Sequence, residues 1–199
     1  MARPVFAMLR TALALAALAM PARAADITAS VVYRDYLIGG DTPVAIVDYF
    51  HAHPFPGDDG PALANIRPTY QLKLTTRQGA ASCAVADVGL DISFAITLPK
   101  ARDEAAMNAR TRAMWRELAR FASAHELGHR RMYTACARQF IARARSIRAP
   151  TCAAVASAVS QLQRRSQTEC DASQVNYDIL EAWRAGKLAI FRAAREARR

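Results

Sequence analysis

Apolar side chains recur at steps of three, four or seven along residues 102–147, which is the spacing of one face of an α-helix. The segment contains no proline and one glycine, Gly128. Arginines and acids occupy the opposite side, so the pattern predicts a single long amphipathic helix. The residues on its apolar face are Met107, Met114, Leu118, Phe121, His125, His129, Met132, Cys136 and Phe140.

A second helix is predicted after a short turn at residues 148–151. Thr151 is a good N-cap, because its hydroxyl can accept a hydrogen bond from an N–H group of the first helical turn. The helical pattern then runs from Cys152 nearly to the C-terminus, with at most one break near Gly186. Two helices joined by a short turn favour an antiparallel helical hairpin.

The residues before the helices show the two-residue period of β-strands, most clearly at 83–98. Apolar residues there alternate with small or polar ones; they are Leu90, Ile92, Phe94, Ile96 and Leu98. The alternation predicts one buried face and one wetter face. We expect Gly89 to mark a bulge or turn inside the strand and Pro99 to end the sheet region.

Two further strands and a short helix are predicted upstream. Residues 27–38 are rich in β-branched and aromatic side chains, and residues 68–76 alternate. Thr42 followed by Pro43 is typical of a helix start, so residues 44–52 are expected to be helical. The whole pattern predicts an α+β fold: a small, mostly antiparallel sheet followed by the long helical hairpin.

Residues 1–24 have the composition of a secretory signal peptide. Arg3 and Arg10 give a positive start, and an apolar run follows at residues 9–20. A membrane anchor is the alternative, but the run is shorter than the roughly 20 residues needed to span a bilayer. We expect an exported protein, periplasmic or extracellular, with no transmembrane anchor after cleavage and one domain over residues 25–199.

The chain is strongly basic, with a formal net charge of +10 and arginines spread through the helical segments. A basic surface can attract nucleic acid or an anionic envelope surface. No basic run is interleaved with aromatic residues in the way typical of nucleic-acid-binding proteins. We therefore expect a solvated basic helix surface and no nucleic-acid partner.

The four cysteines after residue 24 predict two disulfides, since the count is even and the chain is expected to be exported. They are Cys83, Cys136, Cys152 and Cys170. Cys152 and Cys170 are 18 residues apart, or about 27 Å on one continuous helix, which is too far for them to pair. Two pairings remain. We favour Cys136–Cys170 with Cys83–Cys152 over Cys83–Cys170 with Cys136–Cys152.

His125, Glu126 and His129 form an H-E-x-x-H pattern inside the predicted long helix. Residues four apart lie one above the other on a helix face, so both imidazoles can bind one metal ion. Glu126 points about 100° away and can act as general base toward a water activated by the metal. The pattern predicts a Zn²⁺ site with hydrolase chemistry.

A catalytic zinc needs a third protein ligand, which we expect from the second helix. The acids in that helix are Glu169, Asp171, Asp178 and Glu181. The Cys136–Cys170 pairing fixes an antiparallel register in which the two histidines face residues 177–181. This register favours Asp178 or Glu181 as the ligand.

Several further motifs carry a resemblance to a known family. The most specific are the H-E-x-G-H-R run from His125 to Arg130 and the strand that ends in Leu98-Pro99. The others are Gly40-Asp41-Thr42, the loop at 54–60, Cys83, Trp115, Cys152 and Asn176-Tyr177-Asp178. On these motifs the chain resembles, over nearly all of its length after residue 24, a bacterial family catalogued as a domain of unknown function and described as predicted secreted zinc-dependent proteases. The resemblance implies a zincin-type fold, in which the helical hairpin carries the motif, and a peptidase activity.

The chain departs from the family pattern after Asp178. The family continues from the Tyr-Asp pair through a threonine to a His-Gly, whereas this chain has Glu181 and then Trp183-Arg184. If the family's histidine is its third ligand, Glu181 has to substitute for it. If Asp178 is the ligand, the site is intact, and we favour Asp178 because it matches a family position.

These observations predict a secreted zinc metallopeptidase that acts on peptide or protein substrates. Glu126 is the expected general base, and His125, His129 and Asp178 are the expected ligands, with Glu181 as the alternative third ligand. Two other functions stay open: a non-catalytic envelope or binding protein on a zincin scaffold, and a zinc amidase acting on peptidoglycan. The presence of Glu126 favours an enzyme, because a pure binding scaffold needs no general base there.

Overall fold

A computed structural model describes residues 26–57 and 60–199 of the chain. In chain order the elements are β1 (Ile27–Ile38), α1 (Pro43–Ala52), β2 (Phe55–Pro56), β3 (Pro61–Ala62), β4 (Asn65–Gln78), β5 (Cys83–Ala101), α2 (Ala109–Ala144), β6 (Arg148–Ala149), α3 (Cys152–Ala185) and α4 (Ala189–Glu196). A short 3₁₀ helix, Glu104–Ala106, precedes α2. The fold is α+β, as predicted, and the expected signal peptide at residues 1–24 lies outside the described residues.

The sheet is mixed: most of its pairings are antiparallel, as predicted, but one pairing is parallel. Its strand order is β1-β5-β4, and β6 pairs with the start of β5. β4 runs antiparallel to β5, but β1 runs parallel to it, with Ile27 opposite Leu90 and Ile38 opposite Ala101. Sequence alternation reports which face a residue occupies and carries no signal of strand direction.

The alternating pattern of β5 is confirmed by its burial. Val88, Leu90, Ile92, Phe94 and Ile96 are at most 3% exposed, while the residues between them are half-buried or exposed. One face of the sheet is therefore covered by helices and the other is wetter, as is common for sheets with antiparallel pairs.

The expectation for Gly89 is wrong, since β5 neither turns nor bulges there. The register shift lies earlier in β5, where Val85 pairs with Thr76 and Asp87 with Thr75, while Gly89 itself pairs with Lys73. The glycine instead permits a close approach: a Cβ at this position would lie 3.0 Å from the carbonyl oxygen of Asp26, which accepts a hydrogen bond from the backbone N–H of Leu90.

The predicted helix starts are confirmed by their caps. The Thr42 hydroxyl accepts from the N–H of Ala45 at the start of α1, and Pro43 is the first helical residue. Thr151 caps α3 in the same way, through the N–H of Ala154. Helix α3 ends at Ala185, so the predicted break near Gly186 is also present.

Helices α2 and α3 form an antiparallel hairpin on the covered face of the sheet. The C-terminal half of α2 and the N-terminal half of α3 pack with β5 into one apolar cluster, which includes Phe94, Tyr133, Phe140, Val155 and Val159. A second cluster joins the N-terminal half of α2 to α1, α4 and the end of β1, through residues that include Ile38, Ile46, Trp115, Leu118 and Ile190. Helix α2 is thus held along its whole length.

The two disulfides confirm the favoured pairing. Cys136–Cys170 joins α2 to α3, with Cα atoms 6.0 Å apart. Cys83–Cys152 joins the start of β5 to the start of α3, with Cα atoms 5.0 Å apart. The helices are therefore fixed to each other and to the sheet at two separate places.

In the part of the chain that the structure describes, none of the helices has the length and apolar character required to cross a bilayer.

We expect removal of the Cys83–Cys152 disulfide to lower the free energy of unfolding by about 2–5 kcal/mol. The bond closes a loop between positions separated by 69 residues, so its loss increases the conformational entropy of the unfolded chain. Urea unfolding of Cys83→Ala/Cys152→Ala, followed by circular dichroism, measures the effect. Cys136–Cys170 closes a shorter loop, with a separation of 34 residues. Its removal should therefore lower the free energy of unfolding by about 0.6 kcal/mol less, as far as loop closure is concerned. Equal unfolding midpoints for wild type and the first variant would contradict this account.

Candidate metal centre and cleft

Three side chains from α2 and α3 converge at one point of the hairpin. The Nε2 atoms of His125 and His129 are 3.0 Å apart, and each lies 2.9 Å from Oδ1 of Asp178. Among the described residues, these three form the group of potential metal ligands whose donor atoms lie within 4.8 Å of one another. The structure thus brings together both motif histidines and the acid favoured from the sequence.

The register of the hairpin explains this convergence. His125 and His129 lie one above the other on α2, since they are four residues apart. On α3, Cys170, Gln174 and Asp178 also follow at four-residue steps and form a stripe that faces α2. The Cys136–Cys170 bond fixes this stripe, and Asp178 then lies two helical turns beyond the bond, at the level of the two histidines.

The other acids of α3 lie outside the group. Glu181 is bound by Arg184 of its own helix, at 2.7 Å. Glu169 pairs with Arg143 at 3.2 Å. Asp171 lines the cleft, where its charge acts on Tyr70, and it is not one of the three convergent residues. The geometry therefore distinguishes Asp178 from the alternative, Glu181, although a role of either as metal ligand stays a prediction.

Two further side chains of α3, Gln174 and Tyr177, contact the histidines. The Nδ1 atom of His129 lies 2.7 Å from Oε1 of Gln174, which is 5% exposed. The ring of Tyr177 is stacked on the ring of His125, with centroids 5.0 Å apart, and lies edge-on to His129. The only sequence signal for Gln174 is its position midway between Cys170 and Asp178. Tyr177 lies in the stretch 177–181 that the predicted register placed opposite the histidines, and the contacts observed for its ring are packing contacts.

The position of Tyr177 requires a glycine at residue 128. A Cβ at residue 128 would overlap the Tyr177 hydroxyl oxygen and would lie 2.8 Å from Cζ of its ring. The fourth residue of the H-E-x-G-H run therefore has no side chain because the tyrosine of the opposite helix occupies that space. This contact also fixes the approach of α3 to α2 at the site.

Glu126 lies on the side of α2 that faces the sheet, and it is 3% exposed. Burial raises the pKa of its carboxyl to about 7, since the charged form loses hydration; the two histidines lower it and Asp178 raises it. Tyr36 of β1 lies near this carboxyl; burial, and secondarily the charge of Glu126, raise the pKa of its phenol. A glutamate is rarely so buried without a specific reason.

The charges of the convergent group are coupled. Burial alone would raise the pKa of Asp178, but its contacts with His125 and His129 hold the pKa below the ordinary range. Burial alone would lower the pKa of His129, but the contacts with Asp178 and Gln174 raise it. The site therefore combines a stabilised Asp178 carboxylate with a His129 imidazole whose protonated form is favoured.

The chemistry of this donor set fits a metal ion such as zinc. Two imidazole nitrogens and a carboxylate oxygen are common zinc ligands, and a catalytic site uses three protein ligands. Lone-pair atoms that face one another at about 3 Å repel unless a proton or a cation lies between them. The orientation of His129 is also suitable, because its other nitrogen, Nδ1, is held by Gln174.

A cleft of about 1070 Å³ opens over this group. His125, Glu126 and His129 lie in its floor, α3 forms one wall, and the β2–β3 hairpin with β4 forms the other. Six consecutive residues of β4, 65–70, line the cleft. Side chains alternate between the faces of a strand, so a continuous run of this kind means that the edge of β4 faces the cleft.

Comparison with known proteins places residues 33–185 in a family described as "Bacterial protein of unknown function (DUF922)". The chain belongs to this family. The matched segment contains the whole convergent group, Glu126, the cleft-lining strand β4 and both disulfides. No curated protein and no solved structure matches the chain. The family resemblance seen in the sequence is therefore confirmed, and its description as a protease family is not part of this finding.

We expect Gly128→Ala to destabilise the protein by about 1–3 kcal/mol through overpacking, although alanine is intrinsically the better helix former. The new methyl group displaces Tyr177, and with it the adjacent Asp178. Thermal unfolding and near-ultraviolet circular dichroism of the tyrosines measure the effect.

Gly186→Ala is the matched control for this prediction. Its Cβ would meet nothing closer than 3.7 Å, so the same chemical change should leave both signals close to those of wild type. Gly128→Ala/Tyr177→Leu should recover part of the lost stability. A Gly128→Ala protein as stable as Gly186→Ala would show that the contact with Tyr177 does not matter.

Proposed function

We propose that this protein is a zinc-dependent metallopeptidase. The observation that carries the proposal is the convergence of His125, His129 and Asp178 within 4.8 Å, beside the buried Glu126, on the floor of an open cleft. The same residues were singled out by the H-E-x-x-H spacing and the helix register. In the proposal the fold is of the zincin type, since the motif-bearing helix and its antiparallel partner supply all the ligands.

In this proposal His125, His129 and Asp178 hold the ion. Two nitrogens and one oxygen suit zinc better than calcium or magnesium, which prefer oxygen ligands alone. When bound, zinc supplies Lewis acidity, which lowers the pKa of water and polarises the carbonyl group of a substrate.

Glu126 is the proposed general base. It lies one residue after His125 and so projects from α2 in a different direction from the two histidines. Its carboxyl takes a proton from the attacking water and delivers it to the leaving amine. The burial that raises its pKa to about 7 suits this role, because a general base works best when its pKa is near the working pH.

The cleft suits an extended polypeptide. Among the described residues, β4 is paired with β5 alone, so its other edge can hold a peptide backbone by strand addition. The opposite wall carries apolar side chains that are unusually exposed, Val175 at 39% and Ile179 at 66%. A substrate strand beside β4 would place apolar side chains against this wall of α3.

We propose that the enzyme works in the periplasm or outside the cell. Disulfides persist in oxidising compartments, and the described residues contain two. This agrees with the expected signal peptide at residues 1–24. Peptidoglycan amides, which the same chemistry can cleave, are the alternative substrates.

Zinc binding is the first test. Protein purified without added metal should contain close to one zinc per chain, and His129→Ala should abolish it. Asp178→Ala should lower the zinc affinity strongly in chelator competition, whereas Glu181→Ala should have a smaller effect, because Glu181 is bound to Arg184 and lies outside the group. Equal zinc content in wild type and His129→Ala would refute the metal centre. If Glu181→Ala loses more zinc affinity than Asp178→Ala, Glu181 and not Asp178 is the third ligand.

Catalysis is the second test. Glu126→Gln should keep the zinc and the fold, and it should lower turnover by at least about 100-fold, since general base catalysis contributes factors of this size. Wild type and variant are compared on a peptide library and on peptidoglycan fragments. Cleavage of peptides alone supports the peptidase, and cleavage of the glycopeptides alone supports the amidase. Wild-type protein that binds zinc and cleaves neither substrate would favour the non-catalytic binding protein.

A further inference from the structure

We propose that Gln174 is a positioning residue for His129, and that the Cys136–Cys170 disulfide sets the orientation of its amide. This inference rests on the proposed function, because it assigns Gln174 a role in the metal centre. It adds a residue and a covalent bond that act through His129 without contacting the ion or the substrate.

Gln174 lies between the disulfide and the histidine. Its side chain is buried, with 5% exposed. Its Oε1 atom is 2.7 Å from Nδ1 of His129, and its Nε2 atom is 3.5 Å from Sγ of Cys170. The oxygen and the nitrogen of the amide therefore have one partner each. The oxygen is an acceptor toward His129, and the NH₂ group is a donor toward Cys170.

The contact with the carbonyl oxygen selects one tautomer of His129. An amide oxygen can only accept a hydrogen bond, so Nδ1 of the imidazole must carry the proton. The lone pair of the neutral ring then lies on Nε2, which is the atom that faces His125 and Asp178. Gln174 thus holds the ring in the protonation pattern that a metal ligand needs.

The disulfide selects the orientation of the amide. A sulfur in a disulfide has no hydrogen, so it can only accept a hydrogen bond, and the NH₂ end of Gln174 faces it. With the amide reversed, two acceptors would face each other at Cys170, and an N–H group would face Nδ1 of His129. The proton of the histidine would then move to Nε2, where it would block the ligand position.

The other histidine is held by different contacts. Nδ1 of His125 is buried and has no hydrogen-bond partner among the described residues. Its ring lies between Phe121 and Tyr177, at centroid distances of 6.2 and 5.0 Å. The loss of Gln174 should therefore affect His129 alone and weaken the site without emptying it.

The test is zinc affinity by chelator competition, with the spectrum of the cobalt(II)-substituted protein as a second readout. Gln174→Leu should weaken zinc binding by about 10–100-fold, as is typical for loss of an outer partner of a metal-binding histidine, and should alter the cobalt spectrum. Gln174→Met keeps the length of the side chain and should give the same loss. Gln174→Glu still accepts from Nδ1 and should retain most of the affinity.

Gln167→Leu is the matched control. Gln167 also lies on α3 and lines the same cleft, but it is about 10 Å further along the helix axis. The Gln167→Leu variant should bind zinc like wild type. Thermal unfolding of the metal-free variants should show that each of them is folded. Wild-type affinity in Gln174→Leu and Gln174→Met, or an equal loss in Gln167→Leu, would overturn the proposal.

A double-mutant cycle tests the part played by the disulfide. If the bond acts through the amide, Gln174→Leu should cost less affinity in a Cys136→Ala/Cys170→Ala background than in wild type, so the two losses should not multiply. Losses that multiply fully would mean that the disulfide and the glutamine act independently, and the orientation argument would fail. If wild type and His129→Ala bind zinc alike, the metal centre itself is absent, and that outcome is distinct from failure of the present inference.

Discussion

The antiparallel packing of α2 against α3 in one fixed register is the constraint on which the candidate site depends. The histidines come from one helix and Asp178 from the other, so the site exists only at this register. A shift of α3 by one residue would move Asp178 by about 1.5 Å along the axis and rotate it by about 100°. Two features prevent such a shift: the Cys136–Cys170 bond, and the ring of Tyr177 against the bare backbone of Gly128.

The sheet contributes to the site by supporting α2 from below. Leu118, Ala122 and Glu126 follow at four-residue steps along the row of α2 that faces the core, and all three are at most 3% exposed. The glutamate therefore occupies a place where an apolar residue would give more stability, since a buried charge is costly. Proteins depart from such packing rules mainly at functional sites, which is why the position of Glu126 is informative.

Much of the fold could be predicted because its signals are local. The alternation of β5, the caps at Thr42 and Thr151 and the break at Gly186 each depend on residues close together in the sequence. The disulfide pairing was inferred from the distance that a continuous helix puts between Cys152 and Cys170. The resulting register limited the candidates for the third ligand to Asp178 and Glu181. The direction of β1 and the reason for Gly89 could not be predicted, because both depend on contacts between distant strands.

The candidate site shows the same division. The motif histidines and the neighbourhood of Asp178 could be inferred from spacing, whereas the roles of Gln174 and Tyr177 depend on how far α3 is rotated about its own axis. The predicted Cys136–Cys170 bond turns Cys170 toward α2, but the exact rotation of α3 depends on how its side chains pack. The ion pair between Glu181 and Arg184, which separates Glu181 from the histidines, likewise depends on side-chain conformation. Sequence periodicity identified the helix face, and three-dimensional packing selected the residues on it.

The parallel pairing of β1 with β5 has a consequence for the order of folding. β1 is synthesised first, yet its strand partner comes only after α1, β2, β3 and β4 have been made. Pairing across such a distance must overcome a large loop-closure entropy and is intrinsically slow.

The hydrogen bonds within α2 and within α3 join residues near in sequence, so each helix can form quickly. Until β5 arrives, the apolar side chains of Val32, Tyr33 and Leu37, half exposed even in the native fold, lie on an unpaired strand that is prone to pair with other chains. The edge of β1 that pairs with β5 is therefore left uncovered until β5 has been made.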